Sequence, residues 1–263
     1  MDLKLSGKVA LVSGASQGLG FAIARELYKE GASIALLSRS KANLDKAKAS
    51  LQSEGKGEIF TVPADLSHKE EIEKALHVTL EHFGGVDLLL ANAGGPPVGK
   101  FESLTDEDFY RAFETNFMGT VRLIRGLLPV MRERGGGRVG IITSTSVKEP
   151  IEGLLLSNSI RAGITGLART LANEVAKDNI LINCFAPGRF HTERVAYLDQ
   201  KIAGDEGISP QEVERRFIRS IPVGRYGEPE ELAKVAVFAL SFANTYMTGQ
   251  TFVIDGGKTG TLF

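Results

Sequence analysis

Short apolar runs alternate with longer amphipathic ones along the whole chain, and no other feature limits its folding as strongly. The strand-like runs are Val9 to Val12, Ser33 to Leu37, Ile59 to Val62, Val86 to Leu90, Arg138 to Ser144, Leu181 to Phe185 and Thr251 to Ile254. They are too short for stable helices, and their β-branched and apolar side chains suit a pleated, buried surface. Between them lie helix-like stretches: one opened by Phe21 to Leu27, Lys41 to Gln52, Glu70 to His82, a long one carrying Phe109, Phe113 and Phe117, and one with the face Ile160, Ile164, Leu167, Leu171 and Val175. Strand and helix in strict alternation predict an α/β architecture, a parallel sheet of about seven strands with helices on both faces. Ser103 to Asp106 has the form of a capping box, with Thr105 an equally good cap, and the three phenylalanines at i, i+4 and i+8 are expected in the core. Ser209-Pro210-Gln211-Glu212 and Pro229-Glu230-Glu231 open the last two helices.

No composition break, repeat or low-complexity segment interrupts this pattern, so residues 1–263 are expected to form a single domain. With 43% hydrophobic and 24% charged residues there is ample material for a core. A formal net charge of −1 and the lack of any Lys/Arg-rich run leave no docking surface for nucleic acid or an anionic membrane. The N-terminus carries no apolar signal region and the apolar runs are far shorter than a membrane span, so a soluble, cytoplasmic protein is expected. Cys184, the only cysteine, reads as a buried strand residue, and four scattered histidines form no metal-binding pair.

The first strand passes into the first helix through Ser13-Gly14-Ala15-Ser16-Gln17-Gly18-Leu19-Gly20, a G-x-x-x-G-x-G turn. A strand turning straight into a helix presents unpaired backbone N–H groups at a positive helix end, which together hold a pyrophosphate. Gly14 lets the chain leave the strand sharply, Gly18 lets the backbone approach phosphates, and Gly20 lets the helix pack on the sheet. Ser16, Gln17 and Leu19 complete the candidate dinucleotide cradle. A tight turn that binds nothing would show the same three glycines.

A parallel sheet binds ligands beyond the carboxyl ends of its strands, near the point where strand order reverses. After the second strand stand Ser38 and Arg39, about 20 residues beyond the glycine turn, where an acid would hold the ribose of NAD. No acid is there. A guanidinium matches phosphate with a forked pair of donors, so Arg39 points to the 2′-phosphate of NADP, a solvent-facing arginine being the alternative. Asp65, after the third strand, either accepts from an adenine amino group or caps the next segment.

These pieces, with Asp65-Leu66, Asn92-Ala93-Gly94, Asn116, Ser144, Pro187-Gly188 and the closing Asp255-Gly256-Gly257, resemble the short-chain dehydrogenase/reductase family over essentially the whole chain. Within that family the nearest look is to the 3-oxoacyl-carrier-protein reductases. The resemblance implies a Rossmann-like, doubly wound fold and an NAD or NADP cofactor. It also implies hydride transfer between cofactor and a small carbonyl or alcohol, and commonly a homotetramer, built here on the Phe-rich helix and the helix of Ser157. By motif it assigns cofactor contacts to Gly14, Ser16, Gln17, Gly18, Leu19, Gly20, Ser38, Arg39, Asp65, Leu66, Asn92, Ala93, Gly94, Arg161, Pro187 and Gly188. Catalytic positions fall on Asn116, Ser144, Ser157 and Arg161.

Two of those positions depart from the family. Its members carry Tyr-x-x-x-Lys, the tyrosine thirteen residues beyond the catalytic serine; thirteen beyond Ser144 is Ser157, and Arg161 stands four residues further on. The register is intact, since Gly163 and the apolar face continue. In the family the phenol gives a proton to the carbonyl oxygen, its pKa lowered from about 10 by the neighbouring ammonium. A serine hydroxyl is a far weaker acid and falls short by the length of an aromatic ring. Arg161 shares a helix face with Ser157 and keeps a positive charge, but with an expected pKa above about 12 it cannot relay a proton. Candidate donors are a water held by Asn116 and Ser157, His191 or Tyr197 in the loop after Pro187-Gly188, and Lys148 or Glu149.

Three readings stay open. The chain is an NADP-dependent oxidoreductase with a rewired proton donor, a dinucleotide-binding sensor or regulator without turnover, or a non-redox enzyme such as a lyase or epimerase on the same fold. The segment from about 189 to 226 corresponds to the family's substrate lid, with Gly204 and Gly207 as hinges. Its Arg189, His191, Arg194, Arg215, Arg216 and Arg219 are positioned to attract an anion, and its Phe190, Phe217 and Ile218 to line an apolar slot.

Overall fold

The structure, a computed structural model, describes residues 1–262. The strands are β1 (Val9–Ser13), β2 (Ser33–Ser38), β3 (Ile59–Pro63), β4 (Leu88–Ala91), β5 (Gly137–Ile142), β6 (Ile180–Pro187) and β7 (Thr251–Ile254). They form one sheet in the order β3-β2-β1-β4-β5-β6-β7, and every pairing is parallel. The chain winds outward from β1 to β3, returns to lay β4 beside β1, and winds outward again to β7. Strand order therefore reverses between β1 and β4, and this Rossmann-like fold opens its ligand crevice there.

Helices cover both faces, which explains the continuous apolar strands. Val9 and Leu11 of β1 join Leu89, Val139 and Ile182 in one core, while Ala10 and Val12 join Leu88, Leu90 and Phe185 in the other. Successive residues of a strand point to opposite faces, so a strand buried on both sides has no polar alternation. The first core is closed by α3 (Lys69–Phe83), α5 (Gly119–Glu133) and α6 (Leu155–Val175), the second by α1 (Gly18–Lys29), α2 (Lys41–Leu51) and α9 (Pro229–Leu240). Each fully buried Leu or Ile contributes about 1.5–3 kcal/mol. At the amino ends of the strands, buried Asp87 accepts from the Val9 N–H at 2.9 Å and from Arg134 through both carboxylate oxygens at 3.1 Å, tying β1, β4 and the end of α5 together.

The long helical stretch differs from its sequence reading in two ways. Thr105, not Ser103, caps α4 (Asp106–Ala112), in a capping box with Asp108; Ser103 ends a preceding 3₁₀ turn. Between α4 and α5 the chain makes a π-turn, Phe113–Met118, around Asn116. Phe109 and Phe117 pack on the core, whereas Phe113 is 44% exposed and stacks on Phe117 at 4.9 Å. Two more helices, α7 (Glu193–Glu206) and α8 (Pro210–Arg219), follow β6. No helix among the described residues is long and apolar enough to cross a membrane.

Candidate functional site

The glycine turn leaves β1 at the reversal point and is braced by the neighbouring strand. Asn92 donates its side-chain N–H to the Gly14 carbonyl at 3.2 Å, and the Ser13 hydroxyl donates to the Asn92 carbonyl at 2.8 Å. Gly18 has φ of +60°, and beyond it the space is open: a Cβ there would meet nothing nearer than Thr192 at 3.8 Å. Gly20 is needed for the opposite reason, since its Cβ would press on the Gly14 carbonyl and lie 2.6 Å from Asn92 Nδ2. At the start of α1, Gln17 offers no side-chain cap and the first turn holds no acid. Bare amides at a positive helix end, facing open space, fit a pyrophosphate.

Ser16 and Ser38 are joined by a hydroxyl–hydroxyl bond of 3.0 Å, and Arg39 beside them is exposed with no ion-pair partner among the described residues. Asp65 closes the turn ahead of α3, accepting from the Ser67 N–H at 2.9 Å and the Ser67 hydroxyl at 2.8 Å. Burial pushes its pKa up, but those bonds and the nearby Arg39 and His68 outweigh burial and leave it below the usual carboxylate value. Of the two readings of Asp65, the turn cap is the one on display. Leu66 lies in the core, Ala93 packs against it, and Gly94 is exposed in the loop after β4. Pro187 ends β6, and Gly188 donates its N–H to Ile254 at 2.9 Å.

Ser157 and Arg161 lie one turn apart on α6, 9% and 7% exposed. Arg161 Nη1 donates to the Ile142 carbonyl at the end of β5, at 2.5 Å, and has no carboxylate partner among the described residues. Burial, then the charge of Arg194, lowers its pKa to about 10, below the value expected from sequence. At neutral pH it stays a cation. Ser144 caps the 3₁₀ turn Thr145–Val147, its hydroxyl oxygen accepting from the Ser146 N–H at 3.1 Å. This turn and the π-turn of Asn116 both pack on α6. Asn116 donates to the Ala112 carbonyl at 3.2 Å, but its Oδ1, like the Ser146 hydroxyl, is buried without a partner. An unpaired buried polar group costs about 1–3 kcal/mol, so each fits a place where water or ligand completes the bonding.

The segment after β6 reaches back over these elements. Thr192 caps α7 by accepting from the Val195 N–H, Glu193 accepts from Gln17 Nε2 at 2.5 Å, and Arg194 Nη2 donates to the Pro96 carbonyl at 2.7 Å. Lys201 adds a bond to the Val98 carbonyl at 3.0 Å. His191 is engaged with Glu228 at 2.7 Å and Glu214 at 3.4 Å; the Glu228 bond is the main cause of its raised pKa. Gly207 ends α7 in the left-handed region at φ +68°, whereas Gly204 lies inside the helix.

Residues 14–259 match the family model described as Enoyl-(Acyl carrier protein) reductase. Dehydrogenase/reductase SDR family member 4 of Oryctolagus cuniculus is 34% identical over 259 residues, covering 98% of this chain and 96% of the relative. The chain belongs to the short-chain dehydrogenase/reductase family, a family of oxidoreductases. Among solved structures, L-sorbose reductase from Gluconobacter frateurii, complexed with NADPH and L-sorbose, matches at a TM-score of 0.94 and 35% identity over 100% of both chains. A 7α-hydroxysteroid dehydrogenase complexed with NADH and 7-oxo glycochenodeoxycholic acid matches at 0.89 and 28% identity, over 100% of this chain and 98% of the other. NADPH and NADH complexes thus both occur on this short-chain dehydrogenase/reductase backbone.

Three features of the site were missed in the sequence reading. Ser146 stands in the run Ser144-Thr145-Ser146, whose second serine was a usable signal. The π-turn has none, because its residues suit an ordinary helix equally well. The contact of Arg194 with the loop after β4 joins positions 98 residues apart in the chain.

Proposed function

We propose that this chain is an NADP-dependent oxidoreductase of a small carbonyl or alcohol, one domain with residues 189–226 as its lid, whose proton does not come from a phenol. The bare amides of α1, with Ser16, Gln17, Gly18 and Leu19, would hold the pyrophosphate; Ser38 and Arg39 the 2′-phosphate; and Asn92, Ala93, Gly94, Pro187 and Gly188 the nicotinamide half. When bound, the nicotinamide supplies or accepts the hydride. The observation that carries this reading is Arg161: a buried cation fixed at the carboxyl end of β5, one helical turn from Ser157 and with no carboxylate partner among the described residues.

The residues divide the remaining work. Ser144 donates a hydrogen bond to the carbonyl oxygen, and the fixed charge of Arg161 stabilises the negative charge that develops on it. Arg161 also takes the nicotinamide ribose. Asn116 Oδ1 and the Ser157 hydroxyl hold a water that relays a proton in from solvent, the charge of Arg161 stabilising the alkoxide until it arrives. His191, committed to Glu228 and Glu214, is set aside as the donor. The test is NADPH oxidation against a panel of ketones and aldehydes beside an NADPH binding titration. Turnover is expected, and binding without turnover would favour a sensor or regulator, the reading that the missing phenol supports. The protein is further proposed to act as a homotetramer, with exposed Tyr110 and Phe113 placing apolar surface on the helix that the family buries between subunits.

A further inference from the structure

The lid carries eight basic side chains, and the structure separates them. Arg189 is paired with Asp199, Arg216 with Glu206, and His191 with Glu228 and Glu214. Arg215 and Arg219 are exposed on α8. Two reach the loop after β4, Lys201 at the Val98 carbonyl and, nearer the strand end, Arg194. Its guanidinium lies against the loop after β4: a Cβ on Gly95 would sit 2.7 Å from its Nε, and Nη2 bonds the Pro96 carbonyl. No carboxylate pairs with it among the described residues. Its neighbour Glu193 faces the glycine turn through Gln17, so consecutive residues of α7 divide the crevice, the acid on the phosphate side and the base on the β4 side.

Arg161 holds the Ile142 carbonyl at the end of the adjacent strand β5, and the charge of Arg194 is, after burial, a cause of its lowered pKa. Two cations at the ends of adjacent strands, one of them almost wholly buried, each bonded to one carbonyl and neither paired with a carboxylate among the described residues, form an arrangement that an anion completes. We propose that the substrate of this site carries a carboxylate, bound by Arg194 over the charge of Arg161, so that the acceptor is an oxo acid rather than a neutral ketone. This rests on the redox reading for what happens to the carbonyl, but not for the binding.

The test is therefore a binding measurement. Acetoacetate and benzoylformate, each against its methyl ester, are titrated onto the NADP⁺-loaded protein by calorimetry, in the natural chain and in Arg194→Gln and Arg194→Lys, with NADPH affinity measured for each. The acids are expected to bind about tenfold or more tighter than the esters. Arg194→Gln should abolish that preference and Arg194→Lys keep part of it, with NADPH affinity within about threefold throughout. Equal affinity for acid and ester, or no binding of either acid, overturns the proposal. So does a tenfold or greater loss of NADPH affinity in Arg194→Gln, which would make the cofactor pyrophosphate the anion that Arg194 holds. Selective binding of the acids without NADPH oxidation would leave this proposal standing and remove the redox reading instead.

Discussion

Two buried arginines show how surroundings assign a role to one residue type. Arg138 donates to the Asn244 carbonyl through two nitrogens and to the Gly137 and Asn179 carbonyls through a third, and it packs over the Phe242 ring at 4.7 Å. Its bonding is spent inside the fold. Arg161 is spent on one carbonyl and has the rest of its fork to offer. Arg138→Ala is accordingly expected to cost about 1–3 kcal/mol in urea unfolding, through the carbonyls it strands, without changing NADPH affinity. Arg161→Ala should do the reverse, weakening NADPH binding by about tenfold or more with little loss in the unfolding midpoint. Arg39, exposed and unpaired, belongs to the same scale: Arg39→Ala should weaken NADPH about tenfold and leave NADH unchanged. Equal losses for both cofactors would remove it from the 2′-phosphate. Arg39 and Arg161 were legible in the sequence because each stands at a fixed distance from a motif. Arg194 was only one of eight basic lid side chains there, because its contact depends on how α7 docks.

At the scale of elements, the seven strands were legible because burial on both faces leaves an unbroken apolar run, and observed ends differ from the sequence reading by a residue or two. At β4 the shift has a cause: Asp87 stands ahead of the strand, committed to Arg134 and the Val9 N–H. The π-turn was not legible, and Phe113, expected in the core, is exposed. Of the lid helices, α8 was read from its start at Ser209 to Glu212, whereas α7 was read as loop; the two are joined by the Arg216–Glu206 pair and carry the buried Ala203 and Val213. The folded pKa of His191 is raised by Glu228 and Glu214, so its contribution to lid packing is complete below about pH 6.5 and is lost as pH rises through the raised value. Hydrogen exchange of the α7 amides, corrected for intrinsic rates, should therefore quicken from pH 6 to pH 8. His191→Gln should remove that dependence, and a dependence that persists would place its origin elsewhere.

For the whole molecule, the sheet is clamped at one end and carries the candidate site at the other. The Asp87 clamp lies at the amino ends of the strands, away from the crevice, so Asp87→Ala should cost about 3 kcal/mol of stability, as breaking a buried ion pair does, while folded protein keeps its NADPH affinity. The tetramer is checked by sedimentation: a 28.3 kDa species alone at micromolar concentration would reject it. The reverse swap, Ser157→Tyr with Arg161→Lys, should raise ketone reduction if α6 presents these positions as the family does. The account as a whole turns on the source of the proton, and turnover by Ser157→Ala addresses it most directly. General acid catalysis is worth about 10²–10⁴-fold. If Ser157 only helps to hold a water, NADPH affinity should be unchanged and kcat should fall by well under a hundredfold; a fall of a hundredfold or more, with NADPH binding intact, would make Ser157 the acid and contradict the account.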